Sequence, residues 1–442
     1  MFMLPSDFLS RMKDMLGEEY NSFLDSFNDD AVRSIRVNTN KISVQDFIKI
    51  CPFEIEKIPY TDDGFYVYNG EHLGNDPYHH AGLFYVQDPA AMMPINTVNI
   101  ESDFVCLDLC ASPGGKTTQI ASKLKDGILV SNEVNYNRAK VLFSNVERLG
   151  FDNVIVLNED SKRLSNKYKN TFDFILIDAP CSGEGMFRKN SEAIDTFSDE
   201  KVKECASIQR SLINDADVML KDGGYLLYST CTYEEIEDEL VVDEFLNNHD
   251  YEVVKCSDLI KKYTKDGYIK NCKHKELIEA RRFYPHISKG EGQFSVLLKK
   301  KGSLTKNKKC IEYSKLIDKY INNDVNINVN ACKYMDKFYN KINFNVDGLK
   351  IVSGGVQLGE LVNNRFVYHH NFVTAYGKYF NNKLDLKYDD ERVRKYLHGE
   401  EIYDDNVKDG FGVVMVDGYP LGLFKASHGA VKNHYPKGLR TL

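Results

Sequence analysis

The chain has no apolar run approaching the roughly 20 residues of a membrane-spanning helix. Its opening segment, MFMLPSDFLSRMKDML, is an amphipathic helical pattern that carries acids. The basic start, apolar core and small-residue cleavage site of a secretory leader are missing there, so no leader is expected. None of the ten cysteines stands in a CxxC pair, and zinc-ligand spacings are absent. Spread along 442 residues, these cysteines read as free thiols of a reducing cytoplasm, with no metal site. An excess of positive charge is lacking too. The net charge is −8, which excludes a uniformly basic surface. No internal repeat is visible.

What is present is ordinary in bulk and uneven in detail. Hydrophobic content is 42% and charged content 28%, values of a globular protein long enough for two or three domains. Between Tyr251 and Cys310 there are 16 Lys/Arg against 6 Asp/Glu, a local net of +10. The last 22 residues hold four Lys/Arg and no acid. A basic face on an acidic chain suits a polyanionic partner, although a solvated lysine-rich surface has the same composition.

The segment CASPGGKTT, Cys110 to Thr118, resembles the end of a phosphate-binding loop. A P-loop needs a glycine with four residues between it and the final Gly-Lys-Thr. Cys110 occupies that place, and Pro113 has no N–H to offer a phosphate. The flanking pattern decides. From Phe104 onward, short apolar runs alternate with helical periodicity: FVCLDL, then GGKTTQIASKL; ILVSNE, then NYNRAKVLFSNVERLG with a terminal glycine; NVIVLNED; FDFILIDAP; a long helix from Asp199 to Lys221 stopping at Gly223-Gly224; and YLLYSTC. Continuous apolar strands alternating with helices predict a parallel sheet covered on both faces. QFSVLLKK adds a late strand. Ahead of this unit, residues 3–27 read as helical, RSIRVNTNK as a strand, and the stretch to about residue 100 as rich in turns. Behind it, 302–345 reads as a linker with a helical segment, and 346–442 as a small, mainly β module.

In such a sheet a ligand sits beyond the C-terminal strand ends, at the point where strand order reverses. The first four strands each end in an acid: Asp108, Glu133, Asp160 and Asp178. Gly114-Gly115 lets the backbone approach a ligand. Glu133 lies at the spacing where an acid accepts from ribose hydroxyls, and Asp160 is placed for an adenine amino group. This suits NAD or S-adenosylmethionine (SAM), but the GxGxxG fingerprint of dinucleotide enzymes is absent. DAPCSGEGMFRK follows the fourth strand and STCTYEEIEDE the fifth, so Asp178, Cys181 and Cys231 come to one rim. Two thiols and a carboxyl beside a nucleoside cofactor suit alkylation of a carbon that is not nucleophilic by itself, such as cytosine C5. A thiol titrating near about 8.5 needs positive charge or a helix dipole to ionise. Arg188, Lys189 and the helix after Cys231 are the candidates. Cys106, Cys110 and Cys205 read as packing residues.

LDLCASPGGKTTQ, DAPCSGEG and YSTCT together resemble the Sun-type RNA cytosine-C5 methyltransferases. The likeness extends to RSIRVNT, GLFYVQDPAAMM and RFYPHISKGEGQFSVLL, and KNHYPKGLR resembles the C-terminal RNA-binding extension of bacterial members acting on small-subunit ribosomal RNA. The resemblance implies a Rossmann-like α/β SAM-dependent methyltransferase domain (101–301), an N-terminal α+β RNA-recognition region (1–100), the linker (302–345) and a C-terminal RNA-binding module (346–442). It implies SAM held by Cys110, Ala111, Ser112, Pro113, Gly114, Gly115 and Lys116, by Glu133 at the ribose, Asp160 at the adenine, and Asp178. Cys231 would be the nucleophile, Cys181 would help resolve the adduct, and Asp178 would bind the cytosine. Lys189, Lys432, Lys437 and Arg440 would contact RNA. The partner would be ribosomal RNA, probed as a monomeric cytoplasmic enzyme. A tRNA substrate and a catalytically silent assembly factor are the rival readings; an amine methyltransferase would need D/N-P-P-Y/F where Asp-Ala-Pro-Cys stands. The family's Glu-Glu-Asn after the STC box is Ile236-Glu237-Asp238 here, which leaves the role of that Asn open.

Overall fold

The computed structural model describes residues 4–189, 191–305, 317–321, 324–334 and 336–441. Its centre is a ten-stranded sheet. Six of its strands carry the site: β1 (Val105–Asp108), β2 (Ile128–Asn132), β3 (Val154–Leu157), β4 (Phe172–Asp178), β5 (Leu220–Thr230) and β6 (Gln293–Lys300). They lie in the order β6-β5-β4-β1-β2-β3; only β6 runs antiparallel to its neighbour among them. The chain runs outward from β1 to β3, then returns to place β4 on the other side of β1. The reversal of strand order therefore falls between β1 and β4.

The apolar runs are continuous because both faces are covered. Leu107, Val130, Ile175 and Ile177 face one core, which α4 (Asp199–Met219) covers through Leu212, Ile213 and Ala216. Cys106, Leu129, Phe174 and Leu176 face the other, covered by α1 (Gly115–Lys123) and α2 (Tyr136–Leu149) through Ile120, Ala121, Leu142 and Val146. The alternation along β1 and β4 has the period of two that a strand requires. Asn135 caps the start of α2 by accepting from the backbone N–H groups of Asn137 and Arg138, and Gly150 ends it with φ 73°.

Three sequence readings are corrected. The turn-rich stretch before residue 100 holds a four-stranded antiparallel sheet, ordered Ile55–Lys57, Gly64–Val67, Arg33–Val37, Phe84–Val86. Arg33–Val37 is the strand read in RSIRVNTNK. The other three are three or four residues long and pair across the chain, so local periodicity is too brief to reveal them. α4 ends at Met219, not at the Gly223-Gly224 pair. β5 already begins at Leu220 opposite Phe172, and the register shift between Phe172 and Phe174 absorbs the glycines inside the strand. Within 302–345, residues 306–316, 322–323 and 335 lie outside those described, and Asp318–Ile321 is helical. The rest is not a plain linker: Ala331–Tyr334 and Lys337–Asn340 form an antiparallel hairpin in a sheet with Gln357–Val362 and Arg365–Tyr368. Further on, Ile351–Ser353 pairs with β3 as an edge strand of the central sheet.

The chain ends meet. A five-stranded sheet, ordered Lys383–Leu386, Gly410–Val416, Tyr419–Ser427, Ala430–Asn433, Ile402–Tyr403, forms the last part of the structure. Its Val414 and Phe424, with Tyr435 just beyond its last strand in the sequence, share one hydrophobic core with Ile35 and Phe84 of the N-terminal sheet and Phe47 of the helix Val44–Ile50. Buried Arg36 carries the N-terminal sheet to the loop after β1: it donates to the Gly115 carbonyl at 2.6 Å and to the Thr118 hydroxyl at 2.7 Å. Among the described residues no helix is long and apolar enough to cross a membrane.

The shared core gives a direct expectation. Phe424 is fully buried, and Phe424→Ala should destabilise the protein by about 3–5 kcal/mol. Hydrogen exchange should speed up in Arg33–Val37 and Phe84–Val86 as well as in the C-terminal sheet. Exchange confined to the C-terminal sheet would mean the two ends are energetically separate.

Candidate active site

Strand register assembles the reacting groups. Asp178, the last residue of β4, pairs with Ser229 in β5. The chain leaves β4 through Ala179, whose N–H donates to the Ser229 carbonyl at 2.8 Å. Cys181 and Cys231 emerge from these two adjacent strands with their sulfurs 3.3 Å apart. That is hydrogen-bonding range for a thiol and a thiolate, well beyond the roughly 2.05 Å of a disulfide. Both cysteines are free. The loops bearing them are stitched together. Gly185 N–H donates to the Cys231 carbonyl at 2.9 Å, and the hydroxyls of Ser182 and Thr232 meet at 2.9 Å. A Cβ at Gly185 would come within 2.7 Å of that carbonyl and of Gly292 Cα, so no side chain fits there.

Beside the sulfurs, Lys116 Nζ donates to Asp178 Oδ2 at 2.9 Å. The hydrogen bond from Cys181 is the largest influence holding the Cys231 thiol below its ordinary value; burial and Asp178 oppose it, and Lys116 assists. Cys181 is held well above its ordinary value, first by that same bond and then by burial. Both shifts bias the pair the same way, with the proton favoured on Cys181 and the negative charge on Cys231. The cations read from the sequence for this task are engaged elsewhere. Arg188 binds Glu291 at 2.9 Å and Lys189 binds Asp88 at 2.8 Å. The helix after Cys231, α5 (Glu239–Leu246), starts only past a run of turns. Lys116 supplies the positive charge, because the turn after β1 carries it across to the end of β4.

A cleft of about 540 Å³ opens at these strand ends, within the size range of small-molecule sites. Of the residues expected around a cofactor, Cys110, Ser112, Glu133, Asp160 and Asp178 line it, together with both Cys181 and Cys231. Ala111, Pro113, Gly114, Gly115 and Lys116 stand behind this wall and shape the turn. Gly114 sits at φ 111°, and a Cβ there would lie 3.1 Å from Leu142, so the tight turn requires glycine. Glu133 is buried, accepts from Asn135 N–H at 2.9 Å, and faces Arg138 at 3.3 Å. Asp160 is exposed and caps α3 (Ser161–Lys167) by accepting from Lys162 N–H at 2.9 Å. It is both a helix cap and a cleft residue. Asp108 stands deeper. It accepts from the Thr117 hydroxyl at 2.6 Å, burial pushes it up to about 7, and its Oδ1 has no partner.

Sequence reasoning missed Glu159, Arg138 and the α4 residues Ile208, Ser211 and Leu212, which also line the cleft. Glu159 was visible as the neighbour of Asp160, but only the cap of α3 decides how that pair is shared. The α4 wall had no signal, since its position depends on packing over β4 and β5. Of the residues expected at RNA, Lys432 and Lys437 are exposed. Arg440 is half-buried and donates to the Tyr435 carbonyl at 3.3 Å, and Lys189 is held by Asp88.

The sheet order and the cleft at its reversal point define a Rossmann-like methyltransferase fold. A solved methyltransferase homologue from Pyrococcus horikoshii superposes with a TM-score of 0.60 at 30% identity, over 67% of this chain and 95% of that one. Residues 95–299 match the family model "16S rRNA methyltransferase RsmB/F", residues 4–89 the "N-terminal domain of 16S rRNA methyltransferase RsmF", and residues 367–441 the "Methyltransferase RsmF PUA domain". The ribosomal RNA small subunit methyltransferase F of Vibrio vulnificus is 32% identical over 99% of this chain and 97% of its own length, and that of Aliivibrio salmonicida 31% over the same shares. The chain belongs to the RsmB/F family of 16S rRNA methyltransferases.

The electrostatics of the thiol pair can be read without any substrate. In the free protein, iodoacetamide should label Cys231 ahead of Cys181. Lys116→Met removes a cation and leaves Asp178 facing the sulfur, so the pH midpoint for Cys231 labelling should move up. A midpoint unchanged in Lys116→Met would take Lys116 out of the thiol's environment.

Proposed function

We propose that the chain transfers a methyl group from SAM to C5 of a cytosine in 16S ribosomal RNA, through a covalent bond between Cys231 and C6 of that base. The observation that carries this reading is the 3.3 Å contact of two free thiols beside a carboxylate at the mouth of the cleft. SAM fits the residues present. Glu133 and Asp160 offer acceptors for ribose hydroxyls and an adenine amino group, Gly114 allows close backbone approach, and the buried Oδ1 of Asp108 is an unpartnered acceptor behind the loop. When bound, SAM supplies an electrophilic methyl group on a sulfonium.

The chain's own residues do the rest. The Cys231 thiolate adds to C6, and the electron pair of the C5–C6 double bond makes C5 a nucleophilic carbon. Asp178 offers its carboxyl to the polar edge of the base, oriented by Lys116. After C5 has gained a methyl group, its proton must leave and the Cys231–C6 bond must break, returning the electron pair to Cys231. Cys181 is set for that second half. Its thiol is held up first by donating to the Cys231 thiolate. Once Cys231 is bonded to carbon, that influence is gone and Cys181 is freer to accept a role in proton removal. The target base must be flipped out of any helix to reach the cleft. Lys432 on the C-terminal sheet and Lys437 on the short turn after it are both exposed and suit contacts to the RNA backbone, which position without reading sequence.

Three measurements test this. Cys231→Ala should neither methylate RNA nor form a denaturation-resistant complex with it. Cys181→Ala should lose turnover yet accumulate that complex when RNA and SAM are supplied. The reverse pattern would exchange the two roles, and full activity in both variants would end the two-thiol mechanism. Glu133→Ala should bind SAM about tenfold or more weakly by calorimetry, through loss of hydrogen bonds to a charged acceptor; wild-type affinity would remove Glu133 from the cofactor site. Bisulfite sequencing of a deletion strain should show a 16S cytosine losing protection. Loss at a tRNA site with 16S rRNA unchanged would overturn the substrate.

A further inference from the structure

Two consecutive acids on the turn leading into α5 explain how the two sulfurs are kept at contact distance. Glu237 and Asp238 are both fully buried, and neither lines the cleft. Glu237 Oε2 accepts the backbone N–H of Ser182 at 2.9 Å and the side-chain amide of Gln209 at 2.9 Å. The same Gln209 nitrogen donates to the Pro180 carbonyl at 2.9 Å. One carboxylate, with one glutamine from α4, thus grips the residues on either side of Cys181. Asp238 Oδ1 accepts the hydroxyl of Thr230 at 2.5 Å. Thr230 ends β5 and immediately precedes Cys231. The turn itself is tied back to β5, where the Tyr228 hydroxyl donates to the Glu237 carbonyl at 2.5 Å.

We propose that Glu237 and Asp238 are positioning residues that set the separation of the two thiols, Glu237 from the Cys181 side and Asp238 from the Cys231 side. Because they are adjacent in the chain, the peptide between them is a fixed spacer between the two loops. The proposal rests on the two-thiol reading above and assigns its geometry to residues outside the cleft.

The same contacts account for an aspartate where related sequences carry asparagine. Only Arg282 faces Asp238 with opposite charge, and its hydrogen bonds go to Glu239, at 2.7 Å from Nε, and to the Tyr233 carbonyl at 3.0 Å. Asp238 Oδ2 lies 3.2 Å from Arg282 without a hydrogen bond to it. Burial beside Glu239 and Glu237 holds the Asp238 carboxyl well above its usual range despite Arg282. It accepts from Thr230 through one oxygen, Oδ1, as the oxygen of an asparagine amide would. The interaction needed from this position is that acceptor, and either residue provides it.

The test separates the two halves of the reaction. With RNA and SAM, rapid quenching into denaturant gives the rate at which the protein–RNA complex forms and the rate at which it decays. Glu237→Ala should form it at close to the wild-type rate and resolve it about tenfold or more slowly, because only the Cys181 loop is released. Asp238→Ala should form it about tenfold or more slowly, because the end of β5 is released. Asp238→Asn should restore formation to near wild type. Thermal unfolding and SAM affinity confirm that each variant is folded; if Glu237→Ala is not, Gln209→Ala, which frees Pro180 and one bond to Glu237, takes its place with the same expected slow decay. Equal slowing of both steps by both variants, or no slowing by either, would overturn the proposal. Cys181→Ala runs alongside. If it fails to accumulate the complex, the two-thiol reading has failed, and the proposal is then judged on RNA-free protein. There, iodoacetamide labelling of Cys231 should change in Asp238→Ala and labelling of Cys181 in Glu237→Ala; unchanged labelling of both would overturn it.

Discussion

The pairing of Asp178 with Ser229 across β4 and β5 is the constraint on which the site depends. Parallel strands end at the same edge of a sheet, and each carries its reactive residue only two or three positions beyond the last paired one. The sulfurs of Cys181 and Cys231 therefore meet without any long loop to order. A one-residue slip in this register would turn the side chains of one strand to the opposite face. The two cores guard against that slip, since Ile175 and Ile177 face one of them and Phe174 and Leu176 the other.

The constraint extends outward through polar contacts. Lys116 crosses from the turn after β1 to Asp178, so the cofactor side and the base side of the cleft share one ion pair. Arg36 reaches the same turn from the N-terminal sheet. That sheet, in turn, shares a hydrophobic core with the C-terminal sheet. The parts matching the N-terminal and PUA-domain models thus form one body, joined to the turn on which the cofactor loop is built.

Much of this was legible in the sequence, and the boundary of legibility has a physical cause. β1 to β5 announced themselves because strands buried on both faces must be apolar throughout, and the acid ending each of the first four stands out against such runs. The DAPC and STC boxes placed three reacting groups at neighbouring strand ends with no knowledge of distance. What escaped was long-range. Of the N-terminal strands only Arg33–Val37 was legible; the other three are too short to show a period, and the pairing joins residues up to some fifty positions apart, as Ile35 with Val86. The wall of the cleft from α4 depends on how that helix lies over β4 and β5. The sequence offers Arg188 and Lys189, on the segment that carries Cys181, and the helix after Cys231 as sources of positive charge near Cys231. Both side chains are spent on Glu291 and Asp88, and which cation remains is decided only by the folded chain.

The two thiols are chemically identical in the unfolded chain and become different through one hydrogen bond. That bond holds Cys231 below its ordinary value and Cys181 above it, so burial, which alone would raise both, is opposed for Cys231 only. Lys116 biases the same choice. An isolated buried cysteine beside Asp178 would be a poor nucleophile, because desolvation and the carboxylate both disfavour its thiolate. The partner thiol offsets both, and the Lys116 charge adds to it. It also makes the arrangement self-cancelling. On the proposed mechanism, bond formation by Cys231 would remove the hydrogen-bond partner that holds Cys181 up, so the step that consumes the nucleophile would prepare the group needed next. That sequence demands sulfurs in contact, not merely nearby, and this is why two loops otherwise free to drift are tied to buried carboxylates behind them.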